Sequence, residues 1–488
     1  MTLKEILKGL EYEWVQGRNA EVSGIAIDSR KVQYDSLFVC LKGLRSDGHH
    51  FIAKAAQAGA SAVLVQDSQE DYPENVTAVK TDDTRKALSY AAANFFGNPS
   101  QSFNLVGVTG TKGKTTTTYL LENILRECGR KVGVIGTLGA KIGPRRLDIH
   151  YDTSTTPDPV ELQQILSVMK EEKISDAVME VSSQALAFHK VDGVKFNIGI
   201  FTNLSQDHLD FHKTMENYQQ AKAKLFTQCR YGVVNADSEA GLYMTRQPGC
   251  EYMTFSIDAE SDLRAENIQY LENGLEFTAR IHETDVHFFV PIKGRFTVYN
   301  TLGAIGAALL MNIPVESIQN ALAVMKGVPG RLQSVPNSRG LHVIVDYAHS
   351  PDSLVNIINA VREFTQGKLV TLFGCGGDRD ALKRPIMGKI AGELSDYCII
   401  TSDNPRGEPP GKIMEQIESG LADTHCPYES VLDRKDAIFR AVSLLEEGDS
   451  LIVAGKGHED YQIIGDQILP FDDMKITREA LAALEARA

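Results

Sequence analysis

Residues 105–120 read LVGVTGTKGKTTTTYL. An apolar run ends in Gly107, a Gly-Thr-Lys-Gly-Lys-Thr core follows, and a threonine-rich helix start comes next. Glycines in such a turn let backbone N–H groups face phosphate oxygens, and the helix that follows adds its positive end. Gly110, Thr111, Lys112 and Gly113 form the cradle, with Thr116 one residue beyond Thr115 in the first helical turn. Lys114 is spaced to reach the outer phosphates and Thr115 to offer its hydroxyl to Mg²⁺. One feature departs from the common phosphate loop, which has a glycine five residues before the Gly-Lys-Thr; here that position is Val108.

The surrounding chain is that of a globular protein of several domains. At 488 residues it exceeds one core, and the length prior gives about three domains. A net charge of −14, with 43% hydrophobic and 23% charged residues, argues against a general nucleic-acid binder, which needs a basic face. The seven cysteines are scattered and never spaced as C-x-x-C, which suits a reducing compartment better than a disulfide framework or a structural zinc site. No run of about 18 apolar residues or secretory leader is evident. The expectation is a cytoplasmic protein without membrane insertion.

Short apolar runs alternate with helical patterns along the whole chain. SLFVCL and SAVLVQ lie in the first hundred residues; NLVGVTG, KVGVIGT, DAVMEVS and FNIGIFTNL follow; LHVIVDYA, KLVTLFGCGG, DYCIITSD and DSLIVAGKG come last. This alternation predicts an α/β fold with parallel sheets covered by helices. Linker compositions at 97–103 and 326–340 divide it into three α/β domains, 1–101, 102–332 and 333–488.

A phosphate loop needs a carboxylate at the end of a neighbouring strand to hold a metal. Glu180, after the apolar run 177–179, is in that position, although a strand-terminal Glu is more often a solvated edge residue. In TNLSQDHLDFH, His208 and His212 have the i, i+4 spacing of half a zinc site, but a third ligand is not evident. A single His beside a magnesium–phosphate cluster and plain surface histidines both remain open. Lys222 and Lys224, on the helical pattern ENYQQAKAKLF, read by pattern alone as solvated lysines.

TGTKGKTTT, STTPDP, EVSSQAL, FTNLSQDHLDFH, GRFTVYN, GVPGRLQ, VDYAHSPDSL, FGCGGDRDALKRPIMG, SDNPRGEPP and AGKGHEDYQI occur in the order found in the Mur ligases, and the chain resembles that family end to end. The short loop is the family's normal form. The resemblance implies an amino-terminal UDP-sugar domain, a central P-loop ATPase and a Rossmann-like carboxy-terminal domain for the incoming amino acid, in a monomeric enzyme. It further implies ATP and Mg²⁺ as cofactors, and an acyl phosphate formed on the D-glutamyl carboxylate of UDP-MurNAc-L-Ala-D-Glu that the amine of meso-diaminopimelate attacks.

The resemblance also implies roles. Lys114 neutralises charge on the transferred phosphoryl group, Thr115 and Glu180 hold one Mg²⁺, and His208 and a carbamylated Lys222 hold a second. Carbamylation needs an amine with a lowered pKa; Lys224 is the control position. Asn300 is implied near adenine, and Arg331 and Asp346 near ribose and phosphates. Thr297 stands where the family commonly has Asn, which leaves its contact open, and His349 reads equally as a nucleotide contact or a structural residue. Ser29 and Arg30, with Asp47 and Gly48 less surely, match the UDP-sugar site, and Thr155, Thr156, Ser182 and Lys190 the muramoyl-peptide site. Asp403, Asn404, Pro405 and Arg406 form the DNPR sequence that in the family marks diaminopimelate addition. Arg406 suits a bidentate bond to the distal carboxylate, with Arg379, Gly455 and Glu459 as further contacts and Glu459 taking the distal ammonium. Arg379 occupies the last glycine position of a would-be G-x-G-x-x-G, so no nicotinamide cofactor is expected there. A sister amide ligase on the same ATPase core and a catalytically silent nucleotide-binding scaffold are the competing readings.

Overall fold

The computed structural model describes residues 1–43, 46–149, 155–271, 273–281 and 284–486. Two compact units emerge: one holds 1–266 with 278–287 and 298–322, the other 323–488 with 267–277 and 288–297.

The first unit begins with a five-stranded sheet. Its parallel strands Gly24–Ala26, Ser36–Val39, Ala60–Val65 and Thr77–Lys80 end against antiparallel Glu13–Gln16. Both faces are buried: Leu37, Val39 and Leu64 pack under Leu88 and Ala91, whereas Phe38, Val63 and Val65 pack on Ile52 and Ala55. The helix Thr84–Phe95 starts where Asp83 accepts hydrogen bonds from the N–H groups of Arg85 and Lys86, a cap whose removal costs about 1 kcal/mol.

The phosphate-loop sheet follows in the same unit. Asn104–Thr109 lies between Phe196–Phe201 and Asp176–Glu180, all parallel, with Val132–Gly136 beyond Asp176–Glu180 and Cys229–Asn235 beyond Phe196–Phe201. A strand buried on both faces reads as a continuous apolar run, which is why these elements were visible in the sequence. The antiparallel strands Gly139–Ile142 and Arg145–Arg146, with their alternating or exposed residues, were not. Val108 pairs with both Glu180 and Ile200 and is fully buried. The position where other phosphate loops carry glycine is here still sheet, so the turn begins two residues later, at Gly110.

In the second unit His342–Asp346, Ser450–Ala454, Leu369–Phe373, Tyr397–Ile400 and Tyr428–Ser430 form a parallel sheet in that order. The second linker candidate is not wholly irregular: Gln333–Ser334 pairs antiparallel with Ile344 and Val345 at the sheet edge. A hairpin, Tyr461–Ile464 with Gln467–Pro470, was also not anticipated. Asp473 and Arg434, both without exposure, bind each other with Nη2–Oδ2 at 2.6 Å.

Candidate active site

The phosphate loop is shaped by two glycines. Gly110 has φ +153° and Gly113 φ +83°. A Cβ on Gly110 would lie 1.9 Å from Thr202 Oγ1, and one on Gly113 2.2 Å from Asn300 Oδ1, so neither position admits a side chain. Asn203 braces the loop from the next strand's end: its carbonyl accepts from Thr111 N and its Oδ1 from Lys112 N, both at 2.9 Å. Helix Lys114–Glu127 starts at Gly113 with no side-chain cap, leaving its first N–H groups to face whatever the loop binds. Lys114 Nζ folds back on the loop, donating to the carbonyls of Gly110 at 2.9 Å and Thr111 at 3.0 Å. Thr115 and Thr116 are buried in the first turn. Asn300 lies against the loop with Oδ1 3.4 Å from Thr117 Oγ1.

Glu180 is not a solvated edge residue; it is 1% exposed. Thr137 donates to it twice, from N at 3.0 Å and Oγ1 at 3.1 Å, and Gly136 makes room, since a Cβ there would meet Glu180 Oε1 at 2.3 Å. A buried carboxylate with lone pairs left, and the buried Thr115 hydroxyl, form the hard oxygen set that suits Mg²⁺.

Lys222 overturns the pattern-level reading most clearly. Helix Met215–Ala223 buries it to 1% exposure, with Nζ 4.3 Å from the centre of the Tyr218 ring. Burial, reinforced by the charge of Lys114 and only partly opposed by Asp207, holds its pKa well below the usual lysine range. Among the described residues no acceptor lies within hydrogen-bond distance of its amine. Lys224 is half-buried and donates to Leu186 O at 3.4 Å.

The zinc alternative does not form. His208 precedes the short helix Leu209–His212 in the left-handed region, φ 52°, half-exposed. His212 is buried, stacked on Tyr218 with ring centres 4.7 Å apart, and bonded to Ser183 Oγ at 2.9 Å. Burial, then the charges of Lys222 and His208, push its pKa down to about 4. Among the described residues the only cluster of three or more His, Cys, Asp or Glu donors close enough to share an ion is Asp47, His49 and Asp67. There His49 is already saturated, with Nδ1 2.5 Å from Asp47 Oδ1 and Nε2 accepting from Gln66 N and Asp67 N.

Around the expected muramoyl-peptide site, Thr156 Oγ1 donates to Glu180 O and accepts from Ser182 N, both at 3.0 Å, and Thr155 Oγ1 lies 3.3 Å from Thr137 Oγ1. Ser182 caps the helix Ser183–Ala187 through Ala185 N. Lys190 binds Asp158 Oδ1 at 2.6 Å and lines a small cavity with Ile27, Leu41, Arg85 and Phe188. Arg85, stacked 4.7 Å over the Phe188 ring, is a cation that no motif had pointed out. Ser29 is buried, whereas Arg30 is exposed and clasped by Asp28, whose carboxyl that contact holds down at about 2. Ser154 of STTPDP and Leu44 and Arg45 of LKGLRSDGHHF lie outside the described residues.

The second unit gathers the DNPR residues. Asp403 and Asn404 are buried. Arg406, at φ 51°, is anchored by the hairpin: its N–H donates to Ile463 O at 3.1 Å and its carbonyl accepts from Gly465 N at 2.8 Å. Its Nη1 donates to Gly377 O at 2.9 Å. Asn404 Nδ2 donates to Glu459 Oε2 at 2.9 Å, and burial raises the pKa of Glu459. Gly455, φ +118°, leaves room for Asp403, whose Oδ2 would be 2.6 Å from a Cβ there. Arg379 is exposed, and a Cβ on Gly376 would lie 3.7 Å from its Cγ and 2.9 Å from Arg406 Nη1, so Gly376 leaves room for both arginines. Asp346 accepts from Leu332 N at 2.7 Å, and Arg331 lies 5.0 Å over the Tyr347 ring. Thr297 is buried and donates to Lys293 O at 2.8 Å at the start of its helix, and His349 Nδ1 is 2.8 Å from Tyr347 O.

A phosphate loop braced by Asn203, a strand-end Glu and a buried lysine define an ATP-using α/β ligase core, and sequence comparison specifies it. The description "Mur ligase middle domain" matches residues 108–308, "Mur ligase, glutamate ligase domain" 330–457, and "Mur ligase family, catalytic domain" 21–96. The chain belongs to the Mur ligase family. It is 44% identical over 482 residues to the UDP-N-acetylmuramoyl-L-alanyl-D-glutamate--2,6-diaminopimelate ligase 2 of Clostridium acetobutylicum, covering 99% of this chain and all of that one. It is 43% identical to the ligase of the same description, without the number, from Clostridium botulinum, covering 99% of each. A solved structure of a UDP-N-acetylmuramoyl-L-alanyl-D-glutamate--2,6-diaminopimelate ligase aligns with TM-score 0.71 at 28% identity over 99% of both chains. The MurF ligase from Thermotoga maritima in complex with ADP shares the fold, with TM-score 0.64 at 18% identity, over 96% of this chain and 99% of that one. No helix among the described residues is long and apolar enough to cross a membrane.

Proposed function

We propose that this chain is an ATP-dependent amide ligase that adds meso-2,6-diaminopimelate to UDP-MurNAc-L-Ala-D-Glu in peptidoglycan precursor synthesis. The observation that carries the amino-acid assignment is the pairing of a guanidinium and a carboxylate, Arg406 and Glu459, joined through buried Asn404. A side chain ending in both a carboxylate and an ammonium fits that pair; lysine supplies only the ammonium.

A carboxylate is a poor electrophile. Its oxygen attacks the γ-phosphorus of ATP, ADP departs, and the acyl phosphate then has a good leaving group. The free amine attacks the acyl carbon, loses a proton, and the tetrahedral species expels phosphate to leave the amide. Lys114 meets the charge on the transferred group, an interaction strongest where that charge develops. Thr115 and Glu180 would hold Mg²⁺, which when bound supplies further charge neutralisation. His208 and Lys222 would hold a second ion. For this Lys222 has to become an anion: its neutral amine forms an N–C bond to CO₂ and releases a proton to solvent, giving a carbamate. The lowered pKa, the ring beneath the amine and the lack of an acceptor support that role. Thr155, Thr156, Ser182 and Lys190, with Ser29 and Arg30, would bind the UDP-linked dipeptide. The same reading divides the chain into domains 1–101, 102–332 and 333–488.

The test is phosphate release from ATP with UDP-MurNAc-L-Ala-D-Glu and meso-diaminopimelate, L-lysine or no amino acid. Release that depends on diaminopimelate supports the proposal. Release with lysine instead keeps the ligase and discards the Arg406 argument, and release with neither moves weight to a sister ligase or a silent scaffold.

A further inference from the structure

Lys456 lies outside the DNPR sequence, yet it is buried without exposure in the middle of that cluster. Its Nζ donates to Asn404 Oδ1 at 2.9 Å and to Tyr461 O at 2.7 Å, and lies 3.5 Å from Glu459 Oε2. Asn404 Oδ1 also accepts from Ile463 N at 3.0 Å. Two donors therefore converge on one end of the amide. An amide rotated by half a turn would set its NH₂ against an ammonium and an N–H, with nothing to accept, and would turn its oxygen toward the Glu459 carboxylate. Hydrogen-bond complementarity allows only one orientation.

We infer that Lys456 is a positioning residue that fixes the polarity of the distal amino-acid subsite by locking the Asn404 amide with its NH₂ toward Glu459. Locked in this way, Asn404 turns its NH₂ to Glu459 Oε2 at 2.9 Å, while its backbone carbonyl lies 3.5 Å from Arg406 Nη1. Glu459 keeps Oε1, whose one contact among the described residues is a long one of 3.4 Å from the Tyr347 hydroxyl, for a substrate ammonium. Donors then read the carboxylate and the acceptor reads the ammonium of the same α-amino-acid end, so a zwitterion enters one way round. This rests on the diaminopimelate reading above.

The test is steady-state kinetics of the full-length enzyme with Lys456→Met, Asn404→Ala and the double variant. Lys456→Met is expected to raise KM for diaminopimelate at least tenfold while KM for ATP and for the UDP-linked dipeptide stays within twofold. The double variant is expected to be no worse than Asn404→Ala alone, because Lys456 acts through that amide. Lys456→Gln, which keeps a donor without the charge, is expected to fall between wild type and Met, and serves in its place should the Met variant not fold. An unchanged KM for diaminopimelate in Lys456→Met or Lys456→Gln, or fully multiplicative effects in the double variant, overturns the inference. A wild-type enzyme that turns over lysine but not diaminopimelate overturns the substrate reading instead, so the two failures are distinct.

Discussion

Among the described residues two lysines, Lys222 and Lys456, are buried, and their surroundings are opposite. Lys456 has Asn404 Oδ1 and Tyr461 O within hydrogen-bond distance and Glu459 at 3.5 Å. Burial lowers its pKa, and Asp403 and Glu459 pull it back. Lys222 has the face of Tyr218 beneath it and the charge of Lys114 nearby, only partly opposed by Asp207, and its pKa falls well below the usual range. A buried ammonium supplied with acceptors can remain a fixed cation that orders its neighbours. One without acceptors is driven toward the neutral amine, because desolvation penalises the charged form. A neutral amine is a nucleophile. The same residue type thus becomes an organiser in one unit and a reactive group in the other.

The sharpest way to break this contrast is Lys222→Ala. It is expected to reduce kcat on the order of 10²–10³-fold, the scale of losing one charge-stabilising group, with partial recovery when short carboxylates are added to stand in for a carbamate. Full activity, or loss without any rescue, would remove the reactive role. On the organised side, Arg406→Ala is expected to raise KM for diaminopimelate by roughly 10- to 100-fold, the range of a charge-assisted hydrogen bond, with binding of the UDP substrate near normal. Unchanged diaminopimelate kinetics would refute its part in selecting the amino acid.

A smaller effect concerns the frame of the second unit. Buried Arg384 binds Glu408 through both nitrogens at 2.9 Å. That contact, with a hydrogen bond from Asp378 N, holds the Glu408 carboxyl at about 2, below its ordinary 4.5. A carboxyl lowered on folding stabilises the protein above its unfolded value, and this is lost as pH falls from about 4.5 through 2. Glu408→Gln is therefore expected to lower Tm by roughly 2–4 °C at pH 7, with the difference from wild type shrinking toward pH 2. A difference that is constant with pH would contradict the assignment. Smallest of all, Lys224→Ala should leave kcat and KM within about twofold: only its long bond to Leu186 O is lost, worth about 1 kcal/mol at most. A loss matching that of Lys222→Ala would show that the packing of this segment, and not one amine, matters.

Much of this was legible along the chain. The fully buried parallel strands Asn104–Thr109, Asp176–Glu180, Leu369–Phe373 and Ser450–Ala454 announce themselves as apolar runs, and the loop residues Gly110 to Thr115 are contiguous, so backbone conformation alone groups them. The family motifs likewise sit in single short segments. Strands such as Gly139–Ile142 and the hairpin Tyr461–Pro470, half-exposed and without a continuous apolar signature, were not legible.

What the chain order could not convey was burial and partnership between segments far apart in it. Lys222 and Lys224 stand two residues apart, the first in helix Met215–Ala223 and the second just past its end, and both read as solvated by pattern; only the packing of that helix, whose Tyr218 hydroxyl accepts from Thr111 of the phosphate loop at 3.2 Å, makes one amine dry while the other stays half-buried. Glu180 reads as an edge residue until Thr137, more than forty positions earlier, donates to it. Nothing along the chain links Lys456 to Asn404, 52 residues earlier, which turns its oxygen toward it. Composition, periodicity and local motifs determined the α/β class and the phosphate-binding chemistry, because those depend on neighbours in sequence. The protonation of Lys222 and the orientation of Asn404 were decided by the tertiary structure, because desolvation and hydrogen-bond complementarity depend on neighbours in space.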